Sequence, residues 1–438
     1  MPYSYRALLG ACAVGALATS AMAETITVAT VNNGDMIRMQ GMMEDFTAQH
    51  PDIEVEWVTL EENVLRQRVT QDVATGGGQF DVMTIGNYEV PIWGERGWLL
   101  ALDDLPEGYD ADDLIPSIRE ALSVDGTLYA LPFYGESAFV MYRKDLAEAA
   151  GVSIPEEPTW AQIKEAAAAM TDKDAGVYGI CLRGKPGWGE NMAFISAMAN
   201  SYGARWFDMD WKPQFDSEEW QAAFKDYLEM MTNYGPPGAS SNGFNENLSL
   251  FQQGKCGMWI DATVAAGFVT DPEESTVADK VGYAVFPNKE GVDNHGNWLW
   301  SWNLGIPQSS DSPDAAKAFV AWATSKEYTQ LVAEKQGWRA APPGTRTSLY
   351  KNSTYIEEAP FATLTKQTMD AATPEKPSVQ DVPYVGAQFV SIPEFQGIGT
   401  AVGQQFSAAL AGQVDADTAL NNAQQLTQRE MMKAGYIK

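Results

Sequence analysis

Strand-like and helix-like segments alternate between residues 25 and 85, and this alternation restricts the fold more than any other feature. The strand-like segments are 25–31, 53–60 and 80–85, and the helix-like segments between them are 36–49 and 61–74. An order of strand, helix, strand, helix, strand is typical of an α/β unit in which the strands run parallel. We therefore predict an α/β lobe with a largely parallel sheet.

The first 23 residues have the pattern of a secretory signal peptide. Arg6 precedes an apolar run at 7–18, and Ala21-Met22-Ala23 is an A-x-A cleavage site. We expect cleavage after Ala23 and a periplasmic location. Because no later segment holds about 18 uninterrupted apolar residues, we expect no membrane insertion. The remaining chain is too long for one comfortable core, which predicts two lobes.

The charge of the chain limits what it can bind. The formal net charge is −29, and an acidic surface disfavours nucleic acid, anionic membranes and strongly anionic ligands. A neutral small molecule fits best. His50 and His295 each stand alone, and the chain contains no H-E-x-x-H or G-x-S-x-G motif. We therefore predict no metal site, no cofactor and no catalytic residue.

Two cysteines remain once Cys12 leaves with the signal peptide. Cys181 and Cys256 both lie in apolar, strand-like runs, YGICL and GKCGMWI. An even cysteine count in an exported protein permits one disulfide, and the alternative is two buried thiols. We expect both residues in the same lobe, on neighbouring strands, and the sequence leaves open whether they are bonded.

The stretch LPFYGESAFVMYRKD at 131–145 predicts a strand that crosses between lobes. Pro132 favours extended backbone, and an apolar run follows at 139–142. Tyr134 and Glu136 flank Gly135 between these extended parts, in a position suited to contact a ligand. The alternative is an ordinary core strand preceded by a turn.

Polar and aromatic side chains recur where the predicted strands and crossings end. In open α/β sheets, ligands bind beyond the carboxyl ends of the strands. The alternative is that these residues have structural roles only. They would then cap helices, lie in solvated turns, form a covered tryptophan core or stabilise a loop through an ion pair. The predicted ligand-binding residues are Asn33, Glu62, Asn87, Tyr88, Tyr134, Glu136, Arg183, Trp188, Glu190, Asn191, Trp259, Asp261, Trp300, Trp302 and Arg339.

Several stretches resemble the solute-binding proteins of ABC importers related to maltose-binding protein, in particular the sorbitol/mannitol-binding subgroup. They are VNNGDMIRMQ, FDVMTIGNYEVPIWG, LPFYGESAFVMYRKDL, YGICLRGKPGWGENMA and GKCGMWIDAT. In the family, Asn or Asp follows the tyrosine of the first crossing, whereas Arg143 follows Tyr142 here. The resemblance implies the two-lobe periplasmic binding protein fold of type II, with three hinge crossings and a ligand cleft between the lobes.

The resemblance also implies a function and a division of the chain. We expect a monomer that binds a sorbitol-, mannitol- or arabitol-like polyol and docks transiently on a membrane permease. The expected first lobe comprises 24–131 and 287–340, and the second comprises 132–286 and 341–438. The alternatives are the same fold with a mono- or disaccharide ligand, and a secreted glycoside hydrolase with a carboxylate pair.

Overall fold

The computed structural model describes residues 23–438. The signal-peptide prediction falls almost wholly on residues 1–22 and so lies outside the described residues. None of the helices within the described part of the chain is long and apolar enough to cross a membrane.

Eleven strands form two principal sheets and one short hairpin in the described residues. The strands are β1 Glu24–Val31, β2 Ile53–Leu60, β3 Val82–Gly86, β4 Ser123–Val124, β5 Thr127–Leu128, β6 Ala130–Glu136, β7 Ala138–Arg143, β8 Tyr178–Cys181, β9 Cys256–Ala262, β10 Val281–Val285 and β11 Trp300–Gly305. One sheet has the order β2-β1-β3-β11-β6, the other has the order β10-β7-β9-β8, and β4 pairs with β5.

Helices cover both sheets. They are α1 Gly34–Gln40, α2 Met43–Gln49, α3 Glu62–Thr75, α4 Glu89–Glu95, α5 Pro116–Ala121, α6 Lys144–Ala150, α7 Trp160–Met170, α8 Asn191–Ser201, α9 Glu218–Tyr234, α10 Phe244–Gln252, α11 Ala265–Val269, α12 Pro313–Ala323, α13 Lys326–Gln336, α14 Ser353–Glu358, α15 Ala362–Asp370, α16 Phe395–Leu410 and α17 Ala416–Lys433.

The predicted parallel arrangement of the first three long strands is confirmed. β1 pairs in parallel with β2 on one side and with β3 on the other. The side chains of β3 are all buried, as expected for a central strand covered by helices on both faces. β11 then joins this sheet antiparallel to β3 and β6, so strands distant in sequence complete it.

Local signals account for where the helices begin and end. A capping box starts α7, because Thr159 accepts from the backbone N–H of Gln162 while the Gln162 side chain accepts from Thr159 N–H. Gly76 ends α3 in the left-handed conformation, with φ of 63°. The single helix predicted over 36–49 is wrong, since it is divided into α1 and α2 near Gly41.

The first crossing between the sheets lies later than predicted. β6 belongs to the five-stranded sheet, where Tyr134 pairs with Trp302. β7 belongs to the four-stranded sheet, where Phe139 pairs with Asp261. The chain therefore passes from one sheet to the other at Ser137, whereas the expected first lobe ended at residue 131. Pro132 lies within β6, in keeping with the extended backbone expected there.

A disulfide joins two neighbouring strands of the four-stranded sheet. β8 and β9 are parallel, with Tyr178 opposite Cys256 and Cys181 opposite Trp259. The Cys181–Cys256 bond spans a Cα–Cα distance of 5.9 Å and closes a segment with a sequence separation of 75 residues. Closure of so long a loop restricts the unfolded chain and thereby stabilises the folded one.

We predict that the Cys181→Ala/Cys256→Ala variant loses about 2–4 kcal/mol of unfolding free energy, the usual contribution of a native disulfide. Urea denaturation of parent and variant, each with and without dithiothreitol, measures the difference. Reductant should destabilise the parent and leave the variant unchanged. Equal midpoints for the oxidised parent and the variant would contradict the prediction.

Candidate ligand-binding site

A pocket lies between the two sheets, and its outline contains about 450 Å³ of atom-free space, open solvent included. Side chains from both sheets and from the irregular segment at 371–394 surround it. The lining residues are Asn33, Glu62, Arg66, Tyr134, Glu136, Arg183, Trp188, Gly189, Ala193, Phe244, Ala262, Val264, Trp298, Trp300, Trp302 and Gln388.

Glu136, the last residue of β6, is a buried acid at the cavity wall. Its exposed fraction is 6%, and burial raises the pKa of Glu136 well above its ordinary value, although the nearby Arg183 lowers it. Within residues 23–438, the Glu136 carboxylate receives no hydrogen bond from the protein. The carboxyl group therefore faces pocket space that a hydrogen-bonding ligand can fill.

Arg183 follows β8 and is held rigidly beside the cavity. Its Nε lies 2.9 Å from Asp261 Oδ2 and its Nη2 lies 2.6 Å from Asp261 Oδ1, while Nη1 donates to the carbonyl of Gly189 at 2.8 Å. Asp261 is fully buried and also accepts from Trp259 Nε1 at 3.0 Å. This bidentate pair fixes the guanidinium plane and leaves N–H donors for a ligand.

The five-stranded sheet contributes further hydrogen-bonding groups. Asn33 Nδ2 donates to the hydroxyl of Tyr134 at 3.1 Å. Glu62, at the start of α3, accepts through Oε1 from Arg66 Nε at 3.1 Å and Nη2 at 2.9 Å. The other oxygen of Glu62 is free of protein hydrogen bonds in the described structure. These groups therefore offer donors and acceptors from the side opposite Arg183.

Two tryptophans that line the cavity carry unused N–H donors. The Nε1 atoms of Trp188 and Trp298 are buried and have no hydrogen-bond partner among the described residues. Trp300 and Trp302 share one face of β11 and pack edge to face, with ring centroids 5.5 Å apart and planes at 83°. The site is thus rich in aromatic area and also in polar edges.

An irregular segment, residues 371–394, closes one side of the cavity. Gln388 Nε2 donates to the carbonyl of Leu299 at 3.2 Å. The ring of Phe389 lies 5.9 Å from that of Trp300 and 5.5 Å from that of Tyr88. This segment reaches the five-stranded sheet and the loop of Trp188 together, so it limits the length of any ligand on that side.

Direct contacts join the two sides of the cleft at its rim. Lys185 forms an ion pair with Glu61, and Asn63 Nδ2 donates to the carbonyl of Pro186 at 3.2 Å. A Cβ atom at Gly189 would overlap Glu62, so glycine at this position permits the close approach. The glycine-rich loop 183–191 thus brings the second sheet against α3.

Eight predicted site residues line the cavity, and the structure brings them together from five separate parts of the chain. They are Asn33, Glu62, Tyr134, Glu136, Arg183, Trp188, Trp300 and Trp302. Of these, Asn33, Glu62, Glu136 and Arg183 lie at or just beyond the carboxyl end of a strand, in keeping with the expectation for α/β sheets.

The other seven predicted residues do not line it: Asn87, Tyr88, Glu190, Asn191, Trp259, Asp261 and Arg339. Four of these support the wall from behind. Asn87 Nδ2 donates to Leu299 O at 3.1 Å, and Tyr88 packs on Trp188 and donates to Ile392 O at 2.9 Å. Trp259 and Asp261 are fully buried behind Arg183.

The remaining three residues form contacts that stabilise loops. Asn191 Nδ2 donates to Gly403 O at 2.8 Å, which anchors the glycine-rich loop. Glu190 lies 3.5 Å from Lys185 Nζ and 3.8 Å from Arg183 Nη1. Arg339 Nη1 donates to Thr270 O at 2.8 Å, just after α11.

The prediction missed eight lining residues: Arg66, Gly189, Ala193, Phe244, Ala262, Val264, Trp298 and Gln388. Two of them carried a usable signal. Arg66 stands four residues after Glu62 and so shares its helix face, and Trp298 continues the alternation of Trp300 and Trp302. Gln388 lies in an irregular segment and gave no sequence signal.

The cavity has no recognisable metal site. Across residues 23–438, no three His, Cys, Asp or Glu side chains cluster in a way that could hold a metal ion. The arrangement is instead a set of fixed donors and acceptors around a closed space, which suits recognition of an uncharged, hydroxyl-rich molecule.

Comparison with known proteins defines the class. The model of the bacterial extracellular solute-binding protein family matches residues 33–330, and the chain belongs to this family. It is 55% identical over 435 residues to the mannitol-binding protein of Pseudomonas aeruginosa, with 99% of both chains covered.

Solved structures agree on the fold. An ABC transporter solute-binding protein from Agrobacterium vitis S4 with bound D-mannitol is 66% identical, with a TM-score of 0.94, and the match covers 95% of this chain and 100% of that one. A ribitol complex from Agrobacterium radiobacter K84 is 24% identical, with a TM-score of 0.82 and coverage of 93% and 99%; at that identity it supports the fold alone. The predicted two-lobe α/β fold is confirmed.

We predict that Glu136→Gln changes the pH dependence of stability. Because the folded pKa of Glu136 is raised, its contribution to stability is present below the unfolded pKa, about 4.3, and is lost as the pH rises through the folded pKa. The neutral amide avoids this loss, so the variant should gain melting temperature relative to the parent as the pH rises.

Calorimetric melting of ligand-free parent and variant from about pH 4 to pH 8 checks this prediction. Glu148→Gln, on the outer surface of α6, is the matched control and should track the parent. A difference between Glu136→Gln and the parent that stays constant with pH would show that the carboxyl titrates normally.

Proposed function

We propose that this chain is the periplasmic substrate-binding component of an ABC importer, and that it binds an acyclic polyol of the mannitol, sorbitol or arabitol type in the cavity. The observation that carries the proposal is the Glu136 carboxyl group, which lines the same pocket as the fixed Arg183 guanidinium and has no hydrogen-bond partner among the described residues. Such an arrangement favours a ligand that supplies the missing hydrogen bonds.

The groups of the cavity match the chemistry of a polyol. Each hydroxyl is both donor and acceptor, so a polyol needs acceptors and donors in alternation. Glu136 and Glu62 supply carboxylate oxygens, whereas Arg183 and the indole nitrogens of Trp188 and Trp298 supply N–H groups. Charge-assisted hydrogen bonds in a water-poor cavity are the strong ones.

The named relatives support the same ligand class. The Pseudomonas aeruginosa protein is described as mannitol-binding, and the Agrobacterium vitis structure contains D-mannitol. At 55% and 66% identity over nearly the whole chain, the cavity should recognise a similar molecule. Mannitol is therefore our first choice among the polyols.

The proposal includes the organisation of the molecule. The first lobe comprises residues 24–136 and a return segment that contains β11, α12 and α13. In this segment α12 packs beside β1 and β6, and α13 packs on α12. The second lobe contains β7 to β10 together with the helices from α15 onward. The lobes close over the ligand by hinge motion at the crossings, and the closed monomer docks on a membrane permease.

We further propose export through the signal peptide, with cleavage after Ala23, and binding without catalysis. Incubation of the protein with polyols and glycosides, followed by chromatography, tests the last point. A binding protein returns every compound unchanged, whereas a glycoside hydrolase releases free sugar. Release of product would replace the proposal with the hydrolase alternative.

The decisive experiment is a titration of the mature protein with D-mannitol, D-sorbitol and D-arabitol, alongside D-mannose and maltose. A polyol should raise the melting temperature because it binds the folded state only. Isothermal calorimetry then gives the affinity and stoichiometry. A shift with maltose and none with any polyol at millimolar concentration would favour the disaccharide alternative.

We predict that Trp298→Phe weakens D-mannitol binding by about twofold to tenfold, the effect of one lost hydrogen bond of about 0.5–1.5 kcal/mol. Phenylalanine keeps most of the apolar contact and removes the N–H. Trp98→Phe, in the first lobe and stacked beneath Arg96, is the matched control. Parent-like affinity in Trp298→Phe would show that this indole N–H does not bind the ligand.

A further inference from the structure

Arg66 lies at the centre of three tryptophans. Its guanidinium carbon is 4.0 Å from the ring centroid of Trp188, 4.6 Å from that of Trp302 and 5.0 Å from that of Trp300. All three distances fall within the range of cation–π contact. Arg66 is itself only 4% exposed, so one cation is enclosed by aromatic rings in the wall of the cavity.

Two acidic residues hold the guanidinium in this position. Nε and Nη2 donate to Glu62 Oε1, and Nη1 donates to Glu89 Oε1 at 2.9 Å. Glu89 is in turn anchored, because its Oε2 accepts from the backbone N–H of Gly86 at 3.0 Å. Arg66 therefore cannot leave the rings without breaking buried ion pairs, which is costly.

The same packing covers much of the ring surface of these tryptophans. Trp188 meets Tyr88 at a centroid distance of 4.8 Å as well as Arg66. Trp300 is packed edge to face by Trp188 at 5.9 Å and by Trp302 at 5.5 Å. Arg66 thus lies where a flat ligand would otherwise stack on these rings.

We infer that Arg66 makes the site selective for open-chain polyols over sugars in the ring form, because it occupies the tryptophan surface on which a sugar ring would stack. This inference rests on the proposed function. A pyranose presents a flat C–H face that gains from contact with an aromatic ring, whereas an extended polyol has no such face and relies on hydrogen bonds. Specificity is a difference of affinities, and blocking the competitor's contact is one way to create it.

The test compares D-mannitol with methyl α-D-mannopyranoside, a ring-locked sugar with the same carbon skeleton and hydroxyls at C2 to C4. The parent should bind mannitol at least a hundredfold more tightly. Arg66→Met keeps a long side chain of adaptable shape and removes the charge and the planar group. We expect the dissociation constant of the ring-locked sugar to fall in this variant, and the ratio of the two dissociation constants to narrow by tenfold or more as a result.

Arg68→Met is the matched control, since Arg68 lies on the exposed face of the same helix. The Arg68→Met variant should show the same ratio of the two dissociation constants as the parent. Because Arg66→Met leaves Glu89 without its cation, Arg66→Met/Glu89→Gln is measured in parallel, with circular dichroism to establish folding. Arg66→Lys, which keeps the charge and lacks the plane, is the third variant and should narrow the ratio less.

The outcomes separate this inference from the proposed function. If the parent binds no polyol, the proposed function fails. If the parent binds mannitol and the ring-locked sugar with similar affinity, the inference is overturned without any variant. If the parent is selective and every folded Arg66 variant keeps the parental ratio, the inference is also overturned, while polyol binding stands.

Discussion

Burial of charge is the constraint on which the interior of this protein depends. An ionised group taken out of water must find a partner, and the cleft contains several such groups. Arg183 is paired with Asp261, and Arg66 with Glu62 and Glu89. Once these pairs are formed, Glu136 remains as the acid without a hydrogen bond from the described protein. The paired groups form a rigid frame, and the unpaired one marks where a ligand completes the structure.

The way the chain passes between the two sheets explains the position of Glu136. β6 and β7 are nearly continuous in sequence, yet they belong to different sheets, so Glu136 lies where the chain changes lobe. A ligand contact at a hinge couples binding to the relative position of the lobes. The contacts of Lys185 with Glu61 and of Asn63 with Pro186 join α3 to the glycine-rich loop outside the cavity. The same few segments therefore line the cavity and connect the two sheets.

Much of this could be predicted from the sequence, for identifiable reasons. The alternation of strand-like and helix-like segments correctly indicated the parallel strands β1 to β3. The expectation that ligands bind beyond the carboxyl ends of strands pointed to Asn33, Glu62 and Arg183, which line the cavity. The same expectation also selected Asn87 and Asp261, which do not, because it does not show in which direction a side chain at a strand end points. Gln388 could not be found, since residues 371–394 have no regular period. Arg66 was missed because a charged residue inside a helix is usually a solvated one, although its spacing from Glu62 places both residues on one helix face.

The segment that carries Gln388 and Phe389 has a consequence for how the protein matures. The wall of the cavity draws on residues from Asn33 to Gln388, which nearly span the chain. An incomplete chain that ends before this segment lacks one side of the cavity, however well its first sheet has formed. Bringing together residues of such long sequence separation carries a loop-closure cost that only the completed fold offsets. A chain truncated before Gln388 would therefore have an incomplete pocket even where both sheets had formed.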